Sequence, residues 1–167
     1  GKQIQQLYQC ITNQKFQNGI GKLITKDLKE DYISELLKCS GPFPNLKVIW
    51  DCGNGATGEI ISKVVKKIPG KHKVLFDEID GNFPNHHPDP TIEKNLIHLK
   101  NSLKTENADL GIAFDGDGDR IGVVSKDSDL ISGDLLTSFL SGSILKKNKD
   151  QKIILDVKSS EKAIKSI

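Results

Sequence analysis

The sequence contains no methionine, and only 5% of its residues are aromatic, with a single tryptophan. So few rings leave no stacking platform of the kind single-stranded nucleic acid requires. No apolar run approaches the roughly 20 residues of a membrane-crossing helix, and nothing has the layout of a signal peptide. These absences predict no nucleic-acid partner and no membrane partner. Cysteine is scarce too: Cys10, Cys39 and Cys52 are odd in number and form no C-x-x-C pair. That usage points to reduced thiols and a cytoplasmic location, against a disulfide framework or a zinc site. Neither sign of charge dominates, since 24 Lys and Arg face 22 Asp and Glu for a net charge of +2, and the lysines are scattered. The lack of methionine, the initial Gly1 and a helical pattern running into Ile167 predict a piece excised from a longer chain.

What is present is ordinary globular stock, 36% hydrophobic and 28% charged over 167 residues. That length suits one domain, or one domain with parts of its neighbours. Apolar residues at helical spacing predict helices over 1–9 and over "KEDYISELLKCSG", the latter stopped by Gly41 and Pro42. From residue 46 the pattern becomes a regular alternation. Strands are expected at 46–51, 73–79, 108–115 and 152–157, with a short antiparallel pair at 120–125 and 130–132. Helices are expected at 58–68, 91–107 and 133–147 and from 159 onward, the second capped by Thr91 and striped by Ile92, Leu96, Leu99 and Leu103. Such alternation predicts an α/β fold with a mixed, mostly parallel sheet and helices on both faces.

Chemistry concentrates in "FDGDGDR", residues 114–120. Three carboxylates this close repel one another unless a cation or ordered donors lie among them. Side chains alternating along an extended strand stay roughly 7 Å apart, but Gly116 and Gly118 can curl the chain until Asp115, Asp117 and Asp119 converge. Hard carboxylate oxygens so arranged suit Mg2+, and Arg120 then offers a forked donor to a phosphate oxygen at the same place. An EF-hand is excluded, because Arg120 and Lys126 stand where its glycine and glutamate belong. A solvated acidic turn is the plainer alternative.

Upstream, "GNGATG" (53–58) matches G-x-G-x-x-G between a strand and a helix, with Asp77 about 20 residues on. It admits a dinucleotide site or a tight structural turn. The loop "DGNFPNHHPDPT" (80–91) reads as rigid, and its adjacent His86 and His87 have no third ligand at zinc spacing.

Taken together, "VIWDCGNGATG", "DGNFPNHHPDPTIEKNL", "ENADLGIAFDGDGDRIGVV" and "IILDVKSS" resemble the α-D-phosphohexomutases, best their bacterial phosphomannomutase/phosphoglucomutase branch. The resemblance runs through nearly the whole chain. It implies a four-domain enzyme interconverting hexose 1- and 6-phosphates through a phosphoserine and a bisphosphosugar intermediate. By the same resemblance Asp115, Asp117 and Asp119 bind Mg2+, Arg120 contacts phosphate, and residues 53–58 are a strand–helix connection. Residues 1–44 resemble the end of the first domain, 45–127 the second domain, and 128–167 the start of the third. The family's serine loop, its Gly-Glu-x-Ser-Gly-His sugar loop and its C-terminal phosphate loop have no counterpart here. The expectation is therefore a metal-loop portion, inactive by itself, whose partners are a phosphosugar and the remaining domains. A non-catalytic metal- or dinucleotide-binding module is the alternative.

Overall fold

Short apolar runs bounded by turn-forming residues supply the strands. β1 (Lys47–Asp51), β2 (Lys71–Leu75) and β3 (Leu110–Phe114) run parallel in the order β2–β1–β3. β4 (Ile121–Ser125) and β5 (Leu130–Ile131) extend the sheet antiparallel beyond β3. The computed structural model describes residues 1–39, 43–148 and 150–167, apart from the Cys39 side chain. The helix stop expected at Gly41 and Pro42 lies outside the described residues. In register, Asp51 stands beside both Leu75 and Ala113, so the carboxyl ends of β1, β2 and β3 open at one level. Such an edge is where open α/β sheets place their ligands.

One face of the sheet is covered by α4 (Ile97–Glu106), entered through a 3-10 turn at Glu93–Leu96. Leu96, Leu99 and Leu103 recur at helical spacing and are buried against Ile49, Ala113 and Val124. Each such side chain contributes about 1.5–3 kcal/mol by leaving water. Gly111 allows the contact, since a Cβ there would meet Leu103 Cδ1 at 2.7 Å. The opposite face carries Trp50 stacked on Phe114, with ring centroids 6.3 Å apart. Trp50 Nε1 donates to His72 Nδ1 at 3.2 Å, which leaves His72 Nε2 to donate to the Pro69 carbonyl. On this side lie α2 (Lys29–Cys39) and α3 (Gly58–Val64), which line one cavity with Phe114 through Tyr32, Leu36, Ile60 and Ile61. The ion pairs joining them, Lys29–Glu59 and Lys63–Glu30, are solvent-exposed and contribute little. Ile33, wholly buried, is the apolar anchor of α2.

Several expected boundaries move for identifiable reasons. β2 occupies 71–75 instead of 73–79, because Phe76 turns the chain out of the sheet at φ 54°. Thr91 caps nothing: its amide and hydroxyl both donate to Asp89, and the helical turn begins two residues later. α3 stops at Val64, short of residue 68. The expected strand at 152–157 does not form. A strand needs a neighbour's amides and carbonyls; among the described residues none faces this segment, and Ile154 and Val157 are exposed. α5 (Gly133–Lys147) meets α6 (Glu161–Lys165), whose cap Ser160 accepts from the Ala163 amide. α1 (Lys2–Thr12) buries no residue. No helix among the described residues is long and apolar enough to cross a membrane.

Candidate metal centre

β3 ends at Phe114 and delivers Asp115, only 2% exposed, to the carboxyl edge of the sheet. The chain then reverses, with the Gly118 amide donating to the Asp115 carbonyl at 3.2 Å. Gly118 takes φ +77°, and a Cβ there would lie 2.4 Å from Thr57 Cγ2, so both the turn and the close approach require glycine. As a result Asp115, Asp117 and Asp119 each present a carboxylate oxygen within 4.8 Å of the others, the last two exposed to solvent. Oxygen-only donors, one buried and two exposed to water, fit a hard divalent cation.

Arg120 closes the loop. Its amide donates to Asp115 Oδ1 at 3.0 Å and its Nε to Oδ2 at 2.8 Å. The guanidinium also lies 3.5 Å from Asp89 and 3.8 Å from Asp119. Burial pushes the Asp115 carboxyl up, but these backbone and side-chain hydrogen bonds outweigh it and hold the group below its ordinary value. Asp119 goes the other way, raised first by the charge of Asp117 and then by Asp115. The repulsion expected from three clustered carboxylates thus settles on the outermost one.

The glycine turn 53–58 serves this loop. Most of its amides are occupied: Gly53 donates to Asp51 Oδ1, Asn54 to the Phe76 carbonyl, Gly55 to Cys52, and Gly58 to Gly55. Ala56 donates to the Gly116 carbonyl at 2.9 Å, directly across to the acidic loop. A dinucleotide site needs such amides free for a pyrophosphate. Asp77, where a ribose contact was conceivable, accepts from Ser62 at 2.5 Å, and its backbone crowds Gly58 so closely that a Cβ would lie 2.0 Å from its carbonyl oxygen. The turn is a seat, which is the strand–helix connection the resemblance implied.

Sequence reasoning singled out Asp115, Asp117, Asp119 and Arg120, and the structure brings all four together. It missed Asp89, which shares Arg120, and Thr57, which stands against Gly118. It also missed Asp51, whose buried carboxylate holds His86. Of these, only Asp89 lies in the loop "NHHPDP", whose prolines restrict its backbone.

Fold and site together define an α/β layer domain that displays a carboxylate cluster and an arginine at the carboxyl ends of parallel strands. Residues 25–128 match the family model for phosphoglucomutase/phosphomannomutase, alpha/beta/alpha domain II, and the chain belongs to that family. The phosphomannomutase/phosphoglucomutase of Pseudomonas aeruginosa is 38% identical over 163 residues, covering 98% of this chain and 35% of that protein. The phosphoglucomutase of Neisseria meningitidis serogroup B is 37% identical over 165 residues, covering 96% of this chain and 35% of its own length. The crystal structure of a phosphoglucomutase/phosphomannomutase family protein from Burkholderia thailandensis superposes with TM-score 0.80 at 38% identity, covering 89% of this chain and 32% of that one. The chain therefore spans about a third of the length of the relatives it matches.

Proposed function

We propose that this chain is the metal-loop portion of a phosphohexomutase that interconverts hexose 1-phosphate and hexose 6-phosphate. In that reading residues 1–44 end a first domain, 45–127 form the second and 128–167 begin the third. Its partners are a phosphosugar and the remaining domains, and its compartment is the cytoplasm. The convergence of Asp115, Asp117 and Asp119 at the end of β3, closed by Arg120, carries the proposal. The three aspartates would hold Mg2+, which when bound supplies positive charge against the oxygens of a transferring phosphoryl group. Asp115 anchors the cluster to the strand, while Asp117 and Asp119 are exposed to a ligand arriving from solvent. Arg120, half exposed and already oriented by Asp115 and Asp89, presents its remaining donors outward to a phosphate oxygen.

A Mg2+ titration of this chain, followed by calorimetry and amide shifts, tests the reading. Shifts should centre on residues 115–120, and Asp117→Asn, which keeps the shape and removes a charge, should weaken binding about tenfold without unfolding. Equal binding by both proteins, or shifts centred on 53–58, would falsify the assignment.

A further inference from the structure

No part of Asp51 reaches solvent. Its oxygens accept from the Gly53 amide at 3.0 Å and from His86 Nε2 at 3.0 and 3.1 Å. Among the described residues His86 is its one ion-pair partner. A carboxylate removed from water survives only with a hydrogen-bonded partner, and preferably a cation. The other nitrogen of the same ring, Nδ1, faces the His87 carbonyl at 3.0 Å. Both ring nitrogens therefore face acceptors, an arrangement that the doubly protonated ring satisfies at both ends.

The pair lies directly behind the acidic loop. A Cβ on Gly53 would meet Pro88 Cβ at 2.9 Å and His86 Cε1 at 3.4 Å, so the glycine lets the 80–90 loop press onto the end of β1. Phe83 and Pro88 reach within 3.4 and 3.5 Å of where a Gly116 Cβ would be. The next residue, Asp89, reaches Arg120.

We propose that the His86–Asp51 pair positions the acidic loop, clamping residues 80–90 to β1 so that Phe83 and Pro88 form the floor under Gly116 and Asp89 shares Arg120 with Asp115. His86 touches none of the clustered carboxylates and acts only through that loop. The inference rests on the acidic loop being the working site, but its test needs no metal.

The groups facing His86 are few. From the end of β1 comes Asp51. From α4 comes His98, stacked on it at 6.1 Å, and Phe76 stands edge-on to both rings at 5.4 Å. The hydrogen bond to Asp51 raises the His86 pKa above 6.5, against the opposing effect of burial. A raised histidine contributes its hold below the ordinary value and loses it as pH climbs through the higher folded one.

Amide exchange on this chain without metal decides the matter. The probes are the Ala56 amide, which donates to Gly116, and the Arg120 amide, which donates to Asp115. His86→Gln should speed exchange at both by about tenfold relative to the strand amides of Ile112 and Val123. In the unaltered chain, after correction for intrinsic pH dependence, the same two amides should lose protection in step with the His86 ring titration above pH 6.5. Unchanged protection in His86→Gln, or a uniform loss through β3 and β4, overturns the proposal. Should His86→Gln not fold, the pH titration of the unaltered chain decides alone, and protection that ignores the ring titration overturns it. Because neither measurement contains Mg2+, a failure of the metal assignment leaves this result standing.

Discussion

At the scale of single residues, the acidic loop depends on what Gly118 lacks. Alanine there would hold φ +77° against its own Cβ and drive a methyl into Thr57. The left-handed backbone costs about 1–2 kcal/mol and the overpacking about 1–3 more. Gly118→Ala should therefore lose roughly 2–5 kcal/mol in urea unfolding. Adding Thr57→Ser, which removes the offending methyl, should recover only the overpacking share; full recovery would mean that the backbone is unstrained. This constraint was half legible in the sequence. That glycines must curl the loop follows from carboxylate spacing, and Asp115, Asp117, Asp119 and Arg120 followed from it. That Thr57 is the wall, or that Asp51 and Asp89 steady the site, does not follow, because each contact joins segments distant in sequence and leaves no local pattern.

At the scale of elements, periodicity was a sound guide wherever an apolar stripe met a partner. Of the expected stripe, Leu96, Leu99 and Leu103 form the core face of α4 and the turn leading into it, whereas Ile92 is exposed. Leu99, wholly buried, should cost about 2–5 kcal/mol when cut to alanine, read as a lower urea midpoint with unchanged slope. A loss under about 1 kcal/mol would show that the helix is not the cover of that face. The same periodicity failed at 152–157, where an apolar run without a neighbouring edge stays unpaired. It also placed β2 too late, because no propensity marks Phe76 as the residue that takes a positive φ. Helix and strand type were readable from composition; their ends were set by details such as the local side-chain turn of Asp89 on Thr91.

At the scale of the whole molecule, the parallel order β2–β1–β3 and the antiparallel return through β4 and β5 were foreshadowed by alternating strands and helices. What alternation could not show is that three separate loops share one edge. The Ala56 amide meets the Gly116 carbonyl only once β1 and β3 lie side by side, and Asp89 meets Arg120 only once β4 has turned back. Contacts between such distant stretches of chain carry the largest loop-closure cost and are made late in folding. Substitutions that weaken the loop edge should then leave the refolding rate nearly unaltered and speed unfolding, whereas Leu99→Ala should slow refolding. Stopped-flow chevrons of Gly118→Ala beside Leu99→Ala would show it, and a slowed folding limb in Gly118→Ala would refute the order. The hydrogen bond between the glycine turn and the acidic loop is thus also a clock: it closes only when the long-range pairing of the sheet is done, so within the sheet this edge is expected to form late and to open early.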